Sequence, residues 1–257
     1  MHLRLGALVG AALFACACNP ARGVPILLWH AVGEGSADDG YDVPAEEFER
    51  ELALIESSGA RTVSLDQVFD ARNGGAPLPA RAVVLTFDDG RAGLLSSALP
   101  LLEKHGMSAE LFVVPAWTGD DEAHRHVEQD AQGKHSYLLW PELAQMVKGG
   151  VFHVQSHGMA HRPYNALSAE EMRRELVDSR LAITAHLGVP VNFYAYPFGG
   201  FDWTYQSEAE AAGYRAAVAV GSGLGTRFGL RRYSLHRGQE EALRAILEDA
   251  FGKVERR

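Results

Sequence analysis

The chain has 257 residues, 47% of them hydrophobic, enough for one sizeable core and within the range of single-domain α/β barrels. Its 24 basic and 33 acidic residues give a formal charge of −9 with no basic block or stripe, which excludes the electrostatic footprint of a nucleic-acid binder. Both cysteines, Cys16 and Cys18, lie near the N-terminus, so no disulfide can staple the folded part.

The opening "MHLRLGALVGAALFACACNP" has a basic start at Arg4 and then a run of small apolar residues. The run is too short to span a bilayer but suits a secretory leader. Its end, Leu13-Phe14-Ala15-Cys16, resembles a bacterial lipobox, whose cysteine is lipidated and becomes the new N-terminus; simple cleavage after Ala15 or Ala17 is the alternative. The expected division is a leader and short tether over residues 1–23 and one folded domain over 24–257. The mature protein is then expected in the periplasm or cell envelope, as a monomer that touches the membrane only through a lipid on Cys16.

"VPILLWHAV" reads as a buried strand ending at His30. After a Gly/Asp-rich loop, Phe48, Leu52 and Ile55 recur at helical spacing, with Gly59 as the stop. "RTVSLDQV" reads as a short strand-like piece, and Ala82 to Phe87 as a core strand. A helix over "LLSSALPLLEKHG", the strand "SAELFVVPA", a polar loop, and a helix from "YLLWPELAQMVKGG" follow. Then come the strand "VFHVQSH" and the longest helix, with Ser168 as N-cap and Glu171 completing a capping box. "NFYAYPFG", "SEAEAAGYR", "AAVAV", "LRRYSLHRG" and a last helix around "QEEALRAILEDAF" close the chain. Strand and helix alternate throughout, which predicts one α/β domain whose parallel sheet closes, or nearly closes, into a barrel.

Such folds gather chemistry at the carboxyl ends of strands. The polar residues in those places are His30, Asp88 with Asp89, His157 with His161, and the turn Tyr196-Pro197-Phe198-Gly199. His157 and His161 are four apart, a spacing that puts both imidazoles on one face of a helical turn, able to grip one cation. A catalytic zinc takes three protein ligands, and an aspartate from another strand end supplies the third. The second aspartate is then free to accept a proton from water. Neighbouring side chains on a strand point to opposite faces, but an unusual turn at Gly90 lets both enter one site. Periodicity does not say which aspartate does which job.

"TFDDG" and "SHGMAH", in this order, resemble the first two motifs of the polysaccharide deacetylases (carbohydrate esterase family 4, the NodB-homology domain), and "YAYPFG" resembles the third. The resemblance runs from Val24 to about Arg237. It implies a distorted (β/α) barrel, expected to be seven-stranded, that removes acetyl groups from N-acetylated sugar polymers. It further implies Asp88 as general base, Asp89, His157 and His161 as metal ligands, and the Phe198 N–H as an oxyanion donor. The ligand set suits zinc, with cobalt or nickel as alternatives.

Two departures matter. Where the third motif carries an arginine, this chain has Ala195; Arg231 or Arg232 offers a replacement, in a layout similar to the biofilm poly-N-acetylglucosamine deacetylases, and Arg232 is the expected one. The family's late Leu-x-x-His is also missing from Tyr233-Ser234-Leu235-His236, whereas Leu27 and His30 match it at the front of the domain. A circularly permuted first strand, as in that subgroup, makes His30 rather than His236 the expected general acid. The implied activity is hydrolytic de-N-acetylation of an N-acetylglucosamine polymer. An O-acetyl polysaccharide esterase and a catalytically weak carbohydrate-binding protein are the alternatives. His124, His126 and His135 are expected in a solvated loop over the cleft, with a second metal there as the alternative, and Trp117, Trp140 and Trp203 either stack on sugar faces or serve as core or cleft wall.

Overall fold

Strands buried on both faces need an inner and an outer cover, and this chain provides them by closing its sheet into a ring. The structure is a computed structural model that describes residues 23–35, 40–130, 133–221 and 226–252; the leader, apart from Gly23, lies outside them. The first third runs β1 (Ile26–Trp29), β2 (Ala31–Val32), β3 (Asp42–Val43), α1 (Ala45–Ser57), β4 (Arg61–Thr62), α2 (Leu65–Arg72) and β5 (Ala82–Phe87). A wide helical turn at Leu94–Ala98 leads into α3 (Leu99–Lys104), β6 (Ala109–Val113), β7 (Val127–Asp130), β8 (Gly133–Ser136) and α4 (Trp140–Lys148). The rest is β9 (Phe152–Ser156), α5 (Ala169–Leu187), β10 (Phe193–Ala195), α6 (Trp203–Ala211), β11 (Ala216–Val220), β12 (Leu230–Ser234) and α7 (Glu240–Phe251).

β1, β5, β6, β9, β10, β11 and β12 pair in that order, all parallel, and β1 also pairs with β12, so seven strands form a closed barrel. The short β4 adds to β5 outside the ring. The first strand thus sits between the second and the last, the place that the permuted arrangement requires for His30.

The pleat sorts the core into two sets. Leu27, Trp29, Leu85, Phe87, Leu111 and Val113 face outward and meet the helices; Trp29, for example, packs edge-on against Phe48 of α1 at 5.6 Å. Ile26, Val84, Phe112, Phe193, Ala195 and Val218 form a second cluster that fills the barrel lumen. Leu65, Val68 and Phe69 of α2 join this inner cluster and plug the amino-terminal end. Here the chain departs from the expected strand "RTVSLDQV": only Arg61 and Thr62 are extended, and a capping box between Ser64 and Gln67 starts a helix. The box satisfies two otherwise orphaned backbone donors, which outweighs the strand preference of Val63. The capping box on Ser168 and Glu171 at the head of α5 forms as expected.

Two carboxylates lie deep in this core. Glu51 accepts a hydrogen bond from Trp29 Nε1 at 2.9 Å, and burial pushes its pKa up to about 7 against that bond. Glu110 accepts from Leu65 N and Gln155 Nε2, and burial likewise raises it to about 7. An acid whose pKa rises on folding binds its proton more tightly in the native state, so stability is greatest below the unfolded value and falls as pH climbs to the folded one. Between pH 4.5 and 7 each group removes about 3 kcal/mol. Glu51→Gln mimics the protonated form and is expected to flatten its share of the decline. Chemical denaturation at pH 5 and pH 8 checks this; equal pH dependence in wild type and variant would contradict it.

Candidate active site

Every polar residue singled out at a strand end opens into one cleft of about 970 Å³ at the carboxyl end of the barrel. Asp88 and Asp89 follow β5, His157 and His161 follow β9, Phe198 follows β10, and His30 follows β1. Arg232 enters from inside β12.

The two aspartates share the site because the chain turns sharply on them. Asp89 adopts φ 70°, Gly90 φ 81°, and the Gly90 N–H bonds back to the Asp88 carbonyl at 2.9 Å. The unusual backbone is therefore carried by Asp89 itself as well as by Gly90. Asp89, His161 and Phe198 are the only non-glycine residues with positive φ among the described residues, and all three line the cleft. Strained backbone of this kind persists where the surroundings over-determine it and clusters at functional sites.

His157 and His161 do not sit on a helical turn. The chain leaves β9 as an irregular loop, with Gly158 at φ 82° and His161 at φ 53°. A side chain at Gly158 would meet Tyr194 Oη at 2.9 Å and Glu175 Oε2 at 3.0 Å, so the loop is pressed against the barrel wall. The loop, not helical periodicity, brings the rings to 4.8 Å between centroids.

Asp89 Oδ1 lies 3.5 Å from His157 Nε2 and 3.6 Å from His161 Nε2, and the three ligand atoms all fall within 4.8 Å of one another. A tetrahedral cation with bonds of about 2.0 Å holds its ligands roughly 3.3 Å apart. Asp89 Oδ1 is buried and has no hydrogen-bond partner, an orphan that a cation would satisfy. His157 Nδ1 donates to the Ala195 carbonyl at 2.9 Å, which leaves the Nε2 lone pair facing Asp89. Burial pulls the His161 pKa down to about 4, keeping its imidazole neutral as a ligand must be. The donor set fits a divalent cation.

Asp88 is gripped from below. Arg232 donates from Nη1 to Oδ1 and from Nη2 to Oδ2, both at 2.6 Å, and its guanidinium lies over the Phe112 ring. Both residues are buried. Burial pushes the Asp88 pKa up, but Arg232, His157 and His30 together hold it at about 2. Asp88 Oδ2 is 3.7 Å from His157 Nε2, so a second carboxylate borders the ligand trio while remaining paired elsewhere.

His30 feels burial first, which lowers its pKa, while Asp89 and Asp88 act in the opposite sense. Its Nδ1 is buried without a partner. The Tyr41 ring stands between His30 and His236, 4.6 Å from the one and 4.7 Å from the other, so both histidines border the same mouth. Phe198 exposes 69% of its surface, with its ring 4.6 Å from His161.

Sequence reasoning missed one wall. The later part of the segment expected as a solvated loop folds as the antiparallel hairpin β7–β8, with buried His135 against the Arg91 guanidinium, while His124 stays exposed on a short turn before it. Arg91 also pairs with Glu34 at 2.7 Å. Trp117 packs between His161 and Tyr137, both 4.8 Å away, and lines the cleft; Trp140 is buried and Trp203 is exposed. The alternation that marks a hairpin is polar here, and so gave no apolar signal.

The family model described as polysaccharide deacetylase matches residues 75–217, more than half of the chain. Among curated relatives, YxkH of Bacillus subtilis is 26% identical over 85% of this chain and 71% of its own length. The poly-beta-1,6-N-acetyl-D-glucosamine N-deacetylase of Escherichia coli K12 is 28% identical over 54% of this chain, but that region is only 21% of the relative. Among solved structures, the deacetylase PplD of Streptococcus pyogenes superposes with a TM-score of 0.73 at 22% identity, covering 91% of this chain and 98% of that one. IcaB of Ammonifex degensii gives 0.71 at 20% identity, covering 89% and 97%. These superpositions establish a shared barrel, and the sequence match within it establishes descent: the chain belongs to the polysaccharide deacetylase family.

Proposed function

We propose that this deacetylase removes N-acetyl groups from N-acetylglucosamine units of an exported polysaccharide, with Asp89, His157 and His161 holding one divalent cation. The single observation that carries the reading is the orphaned Asp89 Oδ1 facing two imidazole nitrogens beside the paired Asp88 carboxylate. A zinc ion there, or cobalt or nickel, supplies Lewis-acid polarisation of the acetamide carbonyl and lowers the pKa of water to about 7.

The remaining work falls to the chain. Asp88 takes the proton of the attacking water. Its depressed pKa keeps it ionised at every working pH, and the two Arg232 bonds fix its orientation. Arg232 is a positioning residue, since its guanidinium reaches Asp88 and not the cleft. The Phe198 N–H, on a strained turn beside His161, donates to the oxyanion that develops as the carbonyl is attacked. His30 gives its proton to the departing nitrogen as the C–N bond breaks, releasing acetate and a primary amine. Burial makes the protonated imidazole a stronger acid for that transfer.

Acetate release from N-acetylglucosamine tetramers, compared with O-acetylated xylo-oligomers, tests the reading with zinc-loaded protein. Release from the first and little from the second is expected; the reverse assigns the site to O-acetyl esters. We propose export through the leader at residues 1–23, with Cys16 as a lipid anchor. Among the described residues no helix is long and apolar enough to cross a membrane.

A further inference from the structure

The hairpin β7–β8 is bolted to the catalytic loop. Leu138 N donates to the Gly90 carbonyl and Ala92 N to the Ser136 carbonyl, each at 2.8 Å, and Arg91 ties Glu34 to His135 beneath them. From His161 an aromatic row leads through Trp117 to buried Tyr137. At its end the Tyr137 hydroxyl donates to Glu128 Oε2 at 2.5 Å. Glu128 is 44% exposed and borders the same cleft as Asp88 and Asp89.

The charges of this cleft are otherwise matched. Asp88 is paired with Arg232 and Arg91 with Glu34, and the proposed cation would neutralise Asp89. Glu128 has a neutral phenol and, 3.7 Å from Oε1, the His126 Nε2. A sugar stacked on the half-buried Trp117, which lines the cleft, would be the neighbour of the one being deacetylated. A substituent of that neighbour reaching Glu128 meets an acceptor with negative charge. The reaction itself makes the fitting group, because each removed acetyl leaves a primary amine that is protonated at neutral pH. An acetylated neighbour offers a neutral N–H and a bulky acetyl in the same place.

Resting on the deacetylase reading, we propose that Glu128 recognises the ammonium of an adjacent, already de-N-acetylated hexosamine, so that the enzyme works preferentially beside its own product. Partly exposed ion pairs of this kind contribute modestly and respond to salt.

The test uses the zinc-loaded full chain and two tetrasaccharides, one fully N-acetylated and one carrying a single internal free amine. The ratio of their kcat/KM values is read, which cancels any loss of folded enzyme. Wild type is expected to favour the amine-bearing substrate about three- to fivefold at low ionic strength. The ratio should collapse toward unity at roughly 1 M salt and in Glu128→Gln. A wild-type ratio of unity or below, or a preference that survives in Glu128→Gln, overturns the assignment. Failure of both substrates to release acetate overturns the deacetylase reading itself, and this inference with it.

Discussion

Asp88→Asn should lower kcat/KM on an N-acetylated tetramer by about 10²- to 10⁴-fold, the usual contribution of a positioned base, while the protein still takes up one zinc. Asparagine keeps the shape of the side chain and one acceptor for Arg232, but it cannot accept a proton from water. The substitution also leaves the buried guanidinium with no counter-charge. Removing one partner of a buried pair costs about 3–5 kcal/mol, so a clear fall in thermal midpoint accompanies the kinetic loss. Acetate release, zinc content and calorimetry on one preparation separate these effects. Loss of zinc with Asp88→Asn would mean that the two aspartates have exchanged roles.

The second large effect concerns the proton for the leaving group. His30→Ala is expected to cost about 10²- to 10⁴-fold in kcat, and His236→Ala less than tenfold. Both imidazoles border the cleft, with Tyr41 between them. His30, however, follows the strand that pairs with β5, the strand that ends on the aspartates, and the charges of Asp88, Asp89 and His157 act on it directly. His236 lies beyond β12, where its Nε2 shares a hydrogen bond with Ser234. A steeper loss in the His236 variant would reassign the acid and remove the functional meaning of the first strand's position.

Much of this site was legible because its chemistry sits where apolar strands stop. "VVLTFDDG" announces two carboxylates at a strand end, and the ring closure that places His30 beside them follows from β1 pairing with both β5 and β12. Arg232, expected to stand in for the arginine missing at Ala195, pairs with Asp88, and the lumen gives it room to do so. Ala195 belongs to the inner cluster with Phe112, and the Arg232 guanidinium lies over that same ring, so the space is filled from β12.

What stayed hidden were features set by backbone angles and polar contacts. A spacing of four between His157 and His161 suits a helix or a loop equally, and the positive φ at Gly158 and His161 leaves no mark in the hydrophobic pattern. Asp89 gives no sign that it will take up the strained turn expected of Gly90 alone. The hairpin bearing Glu128 and His135 hides for a related reason. Its strands are polar on both faces, and it is fastened through Arg91 to Glu34, 57 residues away.

The central claim is one cation shared by Asp89, His157 and His161, and anomalous diffraction from zinc-soaked crystals tests it directly. One strong peak within bonding distance of Asp89 Oδ1 and both Nε2 atoms is predicted, absent from the otherwise folded His157→Ala and His161→Ala variants. A peak at other residues, or one that persists undiminished in both variants, would contradict it.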